Sequence, residues 1–152
     1  MLTLQSEPLF MVLDEVQPLL EQHYEELCRD KDRVLLAPMW EKYAALEAAG
    51  CFVVYTARDE GELIGYAAFF IQPSLHHADL TVVLNDLVFI HPDHRGSAGP
   101  RMIKFAEKQI AELKHAGTAL QIVWSAKPGT LLESLLPKLG YQSEAVMFGK
   151  LL

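Results

Sequence analysis

The stretch Asn85 to Arg101, NDLVFIHPDHRGSAGPR, holds the residues whose types and spacing are best suited to chemistry. An apolar run ends at Ile90, Pro92 breaks it, and a glycine-containing loop from His91 to Pro100 leads into an amphipathic helix. Strand end, loop and helix start together make an anion cradle. The first N–H groups of a helix lack intrahelical partners, and the helix dipole adds partial positive charge. Gly96 and Gly99 permit close approach of a ligand to the main chain, and Arg95 and Arg101 can add charge-assisted contacts to phosphate. The loop is neither a P-loop, lacking GK[ST], nor a GxGxxG fingerprint. A tight turn with no ligand is the plain alternative.

Asn85 and Asp86 interrupt the apolar run Leu80 to Ile90. A carboxylate flanked by Leu84, Leu87 and Val88 is partly desolvated, which raises its pKa toward the range of a general base. The same pair can instead mark a bulge or turn, with both side chains bonding local backbone. Asn85, whose amide is no base, would orient substrate or water. His76 and His77 lack an obvious third ligand, so no metal is expected there; substrate contact is the other use open to them. His91 and His94 read as surface residues.

The elements that must position these groups follow from hydrophobic period. Met1 to Gln5 reads as an edge strand, and Ser6-Glu7-Pro8 as a helix opening. Val12, Val16, Leu19, Leu20 and Leu27 recur at helical spacing, with Pro18 as a kink or break. A second helix is predicted over Pro38 to Ala48, stopping at Gly50. Cys51 to Ala57 and Leu63 to Ile71 read as a hairpin around Asp59-Glu60-Gly61-Glu62. Leu80 to Ile90, apolar on both faces, reads as a central strand. A helix from about Arg101 to Ala116 stops at Gly117, Leu120 to Trp124 is another strand, and Thr130 to Leu139 a short helix ending at Gly140. Tyr141 to Leu151 reads as a final strand with a bend. The class is α+β, a mixed sheet with helices packed on it.

The chain has 152 residues, 51% hydrophobic and 22% charged, with formal charge −7. These values fit one globular domain over residues 1–152. The acidity argues against a nucleic-acid partner and suits a cationic substrate. Cys28 and Cys51 form no CxxC and read as reduced thiols. No signal peptide and no membrane-length apolar run is seen, so a soluble cytoplasmic protein is expected.

Ile90-His91-Pro92-Asp93-His94-Arg95-Gly96 resembles the V-x-P-x-x-R-G run that opens the CoA-binding motif of GCN5-related N-acetyltransferases, and Lys138-Leu139-Gly140-Tyr141 resembles that family's K-L-G-[FY] segment. The element order matches as well, from about residue 3 to residue 151. The resemblance implies acetyl-CoA as co-substrate, no metal, and transfer to a primary amine of a small molecule, peptide or protein. A CoA-binding module whose chemistry has lapsed is the alternative. It implies that the main chain of Val88, Phe89 and Ile90 pairs with the pantetheine arm where two central strands splay apart. Gly96, Ser97, Ala98, Gly99, Pro100 and Arg101 would hold the pyrophosphate.

Departures from the pattern are specific. The usual R-x-x-G-x-G is altered because Ala98 and Pro100 stand where glycines are expected, and Pro100 lacks an N–H. Proline does suit the first turn of a helix. Relatives often carry a tyrosine acid where this chain has Leu136, and an asparagine where it has Gly129. Tyr141 is the nearest substitute acid, with core packing as the other reading. Some relatives carry a glutamate base at the place of Asp86. Trp40, Tyr43 and Tyr24 fall where the family often builds its acceptor pocket, or serve as core. Many such proteins pair as dimers.

Overall fold

In the computed structural model, which describes residues 1–115 and 117–152, the alternating segments after residue 50 form the middle of a sheet. β2 (Phe52–Asp59) and β3 (Glu62–Pro73) make the expected hairpin. Glu60 and Gly61 in its turn both take positive φ, 49° and 87°, the left-handed pair that matches a two-residue loop to strand twist. β1 (Leu2–Ser6) pairs antiparallel outside β2, β4 (Leu80–Ile90) antiparallel outside β3, and β5 (Ala119–Val123) parallel to β4. The order is β1-β2-β3-β4-β5, a mixed sheet.

Helices cover both faces. α1 (Leu9–Leu27) lays Val12, Val16, Leu19 and Leu20 on Leu63, Tyr66 and Phe89. α2 (Trp40–Ala48) sets Trp40 and Tyr43 against Phe52, Val54 and Ala68. On the opposite face α3 (Arg95–Ala111) buries Ala98, Met102, Ala106 and Ile110 against Tyr55, Ala67, Phe69 and Val83. α4 (Leu131–Leu135) runs into a 3-10 turn over Leu136–Leu139, closed by Gly140 at φ 91°. Among the described residues, no helix is long and apolar enough to cross a membrane.

Three expectations change. α1 passes through Pro18 without a break; Pro18 and Asp14, whose carbonyl loses its partner, both lie on the exposed side, where water can serve. The segment expected as loop is helical, because α3 begins at Arg95, directly after a 3-10 turn over Pro92–His94. Its end expected at Ala116 lies outside the described residues; the helix stops at Ala111. Finally, Tyr141 to Leu151 forms no strand. Strands are stabilised by cross-strand packing, and here Val146, Met147 and Phe148 remain 72%, 81% and 93% exposed.

Candidate active site

β4 carries a bulge at the predicted place. Leu87 pairs with Ala68 and Asn85 with Phe69, so Asp86 is the extra residue with no partner on β3. A bulge re-aims the side chains that flank it. Asp86 and Leu87, which would face opposite sides of a regular strand, both reach the α1/α2 face: Leu87 packs among Val12, Leu20 and Trp40, and Asp86 Oδ2 accepts a 2.7 Å hydrogen bond from the Tyr43 hydroxyl. Burial pushes the Asp86 carboxyl above its ordinary range, and the Tyr43 hydrogen bond only partly offsets this. The two readings of this position, desolvated carboxylate and bulge, are one arrangement.

The Asn85 side chain turns toward the segment after β5. Its Nδ2 donates to the Ser125 carbonyl at 3.1 Å, and its Oδ1 accepts the Ser125 N–H at 2.5 Å. The amide thus imitates one more rung of strand pairing, and it does so where pairing stops: the β4–β5 ladder ends at Leu84–Val123, while β4 continues to Ile90. Both polar ends of this buried side chain are engaged by backbone at the apex of the splay, where it also lines the cleft.

Beyond that apex the strands part over a cleft of about 880 Å³, lined by β4, the C-terminal part of α1, the start of α3 and the segment after β5. The His91 N–H bonds the Ile64 carbonyl on β3. Strand alternation then turns the main chain of Phe89 toward β3 and those of Val88 and Ile90 toward the cleft. The Phe89 ring belongs to the α1 face. Gly65 makes this tight pairing possible, since a Cβ there would lie 2.6 Å from the Phe89 carbonyl oxygen. Its position inside a strand was the available sequence signal.

The expected phosphate residues divide. The first two amides of the α3 start are occupied: the N–H groups of His94 and Arg95 bond the carbonyls of His91 and Pro92. Gly96 and Ser97, both exposed, follow in the first turn of α3, the part of a helix that presents main-chain N–H groups to an anion. A Cβ at Gly96 would meet nothing within 4 Å, so packing does not demand glycine there. Ala98 is buried under the sheet, Gly99 lies against Leu135, and Pro100 sits in the second turn, where its missing N–H deprives the Gly96 carbonyl. The first-turn reading of Pro100 is therefore corrected. Arg101 donates to the Leu2 carbonyl at 3.3 Å. Arg95 is held by protein, with Nε on the Ile90 carbonyl at 2.8 Å, Nη1 and Nη2 on Glu26 at 2.9 and 2.5 Å, and its guanidinium over the Phe89 ring.

The acetyltransferase (GNAT) family model matches residues 13–141. The chain belongs to the GNAT acetyltransferase family. Solved GNAT-like structures agree in fold. A ribosomal-protein-alanine N-acetyltransferase from Brucella melitensis biovar Abortus 2308 is 18% identical, with TM-score 0.72 over 99% of each chain. An aminoglycoside acetyltransferase from an uncultured soil metagenomic sample is 16% identical, with TM-score 0.74 over 100% of this chain and 99% of that one. A predicted acetyltransferase from Clostridium acetobutylicum, solved with acetyl-CoA, is 16% identical, with TM-score 0.65 over 99% of this chain and 96% of that one. A comparison with curated proteins found no match.

Against the GNAT pattern, the usual acid position holds Leu136, 8% exposed and buried. Tyr141 does not replace it at the cleft: its hydroxyl donates to Glu107 Oε1 at 2.6 Å, and its ring meets Trp124 edge-on. Burial, then the Glu107 contact, push that hydroxyl well above its ordinary pKa. His76 and His77 are exposed, and among the described residues no group of three metal-binding side chains occurs. Three residues around Asp86 and the cleft have roles that the sequence did not give them. Tyr43 was read as pocket or core, but no spacing rule links position 43 to 86. Glu26 looked like one more solvated helix residue. His23, a polar residue on the apolar stripe of α1, was the most legible signal. It lies 7% exposed, bonds the Tyr66 hydroxyl through Nδ1 at 2.9 Å and stacks on Phe89.

Proposed function

We propose that this protein transfers an acetyl group from acetyl-CoA to a primary amine, with Asp86 as the proton acceptor. The observation that carries the reading is the parting of β4 from β5 at Leu84–Val123, which leaves cleft-facing main chain beside the start of α3. That edge fits an extended amide-bearing arm, which would add to the sheet as a strand does. Val88 offers N–H and carbonyl; the Ile90 carbonyl is already held by Arg95. The open space at Gly96 fits a close-lying pyrophosphate on the amides of Gly96 and Ser97. The cleft, about 880 Å³, is within the usual range for ligand sites.

Bound acetyl-CoA would supply the acyl carbon as a thioester. Asp86, desolvated and above its ordinary pKa, takes one proton from the incoming ammonium. The neutral nitrogen would bond the acyl carbon as the carbon–sulfur bond breaks, and the second proton that this nitrogen must shed would pass through water to the departing thiolate, leaving amide and thiol with no net change in the water. A thiol of ordinary pKa near 8.5 leaves acceptably without a protein acid, which agrees with a leucine at position 136. The proposal takes residues 1–152 as one domain acting in the cytoplasm. The second reading, a lapsed CoA-binding module, draws on that leucine and on Pro100 inside α3.

Thermal unfolding with and without CoA tests the binding step, because a ligand bound only to the native state stabilises it by RT ln(1 + [L]/Kd). A rise in Tm at millimolar CoA is expected, and no shift overturns the proposal. Release of free thiol from acetyl-CoA on adding primary amines supports the enzyme; a Tm shift with no thiol release for any amine supports the lapsed module.

A further inference from the structure

A second cavity, of about 290 Å³, opens beside the cleft between α1, α2 and the connection that joins them. Leu20, Tyr24, Cys28, Leu36 and Leu87 line both spaces. Its wall also includes Tyr43, whose hydroxyl reaches Asp86. The proton acceptor of the proposed reaction therefore stands at the junction of the two cavities.

The lining of this cavity restricts what it can recognise. It contains no charged side chain. Its three tyrosine hydroxyls are already engaged: Tyr24 by the carbonyls of Lys31 and Val34, Tyr43 by Asp86, and Tyr66 by His23. The rest of the surface is aliphatic or aromatic, with Trp40, Phe52 and Val54 at its floor and Val34 and Leu35 in the connection. A polyhydroxylated, phosphorylated or multiply charged acceptor would lose water there and find no partners, a loss that is costly for buried polar groups. An apolar body gains from the same surroundings. Charge complementarity supplies the other end, since an ammonium on the cleft side meets the Asp86 carboxylate that Tyr43 holds.

We infer that the acceptor is a small primary amine carried on a compact apolar body, of the arylalkylamine kind, with its ring in this cavity and its nitrogen at Asp86. The inference rests on the acetyltransferase reading above and adds to it the chemical class of the acceptor. At about 290 Å³ the space lies at the small end of ligand pockets, which suits one ring system on a short chain and not an oligosaccharide.

The test compares 2-phenylethylamine and tryptamine with kanamycin and an alanine-initiated hexapeptide, following thiol release from acetyl-CoA. The arylalkylamines are expected to exceed the other two in kcat/KM by ~10²-fold, as burial of several methylene equivalents allows. Ala37→Trp, at an exposed wall position of the cavity, should raise their KM by ~10-fold or more while the Tm shift with CoA persists. Saturation NMR of 2-phenylethylamine on the parent protein, with CoA present, gives a binding readout that needs neither turnover nor the variant. A CoA shift together with better turnover of kanamycin or the peptide overturns the acceptor class and leaves the acetyltransferase reading intact. Arylalkylamine turnover unmoved in folded Ala37→Trp, or no 2-phenylethylamine binding to the parent, overturns the assignment of the cavity. Loss of the CoA shift itself would instead overturn the earlier proposal.

Discussion

The Tyr43 hydroxyl donates a 2.7 Å hydrogen bond to Oδ2 of Asp86, and this bond joins the second helix to a bulge in the central strand. It favours the charged carboxylate, whereas the burial around it favours the neutral acid; burial dominates and the pKa rises. A raised carboxyl pKa has a definite sign in linkage. Its stability contribution is fully present below the unfolded value near 3.8 and is lost as pH rises through the folded value. At neutral pH the ionised Asp86 therefore costs stability, which is the expected price of a tuned base.

Asp86→Asn should accordingly keep or raise Tm at pH 7 while lowering kcat by ~10²-fold or more. In the parent, kcat should fall on acidification as Asp86 takes up its proton, and the variant should lack that limb. Tyr43→Phe removes only the bond that favours the charge, so the acidic limb should move to higher pH with the plateau nearly kept. Rate profiles from pH 5 to 9, alongside melting curves, check all three. Full activity and an unchanged limb in Asp86→Asn would make Asp86 scaffolding.

Two glycines, Gly96 at the start of α3 and Gly65 on β3, should respond in opposite ways. At Gly96 a Cβ meets nothing, so Gly96→Val should fold as well as the parent yet bind CoA more weakly, by ~10-fold or more, if the pyrophosphate lies against that amide. At Gly65 a Cβ would lie 2.5 Å from Ile90 Cδ1 and 2.6 Å from the Phe89 oxygen. Gly65→Ala should therefore lose stability by roughly 1–3 kcal/mol through overpacking. Tm and CoA titrations of both proteins separate the two effects.

The physical basis of that contrast also explains what the sequence could reveal. β4 was legible from Leu80 to Ile90 because an apolar run covered on both faces has no alternative period. The interruption at Asn85-Asp86 was visible too, although which neighbours would engage each side chain was not, since Ser125 and Tyr43 are brought there only by the fold. The start of α3 was misread because glycine and proline lower helix propensity at each position, while Ala98, Met102 and Ile103 bury enough surface to override it. The last segment reads as a strand through its apolar run Ala145 to Phe148, but Val146, Met147 and Phe148 stay largely exposed, so little packing is gained by pairing it.

Asn85 gives a stability prediction. Asn85→Ala removes both bonds to Ser125 and leaves that residue's N–H and carbonyl without their partner at the apex. The expected cost is ~1–3 kcal/mol, or a fall in Tm of several degrees for a domain of this size. CoA affinity should also drop, because the apex fixes how far β4 and β5 part. Asn85→Asp keeps the acceptor for the Ser125 N–H but not the donor for its carbonyl, so it should fall between the two. A Tm for Asn85→Ala equal to the parent's would show that the clamp contributes nothing.

His23 makes the protein's stability depend on mildly acidic pH. Desolvation, the largest influence, lowers its pKa from 6.5 to about 4; Glu26 pulls it upward, and Lys127 and Arg95 push it further down. In the unfolded chain the imidazole takes up its proton near pH 6.5, whereas in the fold it stays neutral until about pH 4. The unfolded state thus binds more protons between those values, so stability falls as pH drops through that window and levels off below it. The full difference corresponds to roughly 3 kcal/mol. Glu7, Glu15 and Glu26 have pKa values held below the ordinary 4.5, so their losses begin only at the acidic end. Asp86, raised, acts in the opposite sense, and comparison with a variant cancels it. His23→Gln can still bond the Tyr66 hydroxyl but cannot titrate. Urea unfolding of both proteins from pH 7 to pH 4.5 should show the parent losing ~2–3 kcal/mol more than the variant. Parallel losses in the two proteins would mean that His23 titrates as it does in water, and that the stack on Phe89 does not exclude its proton.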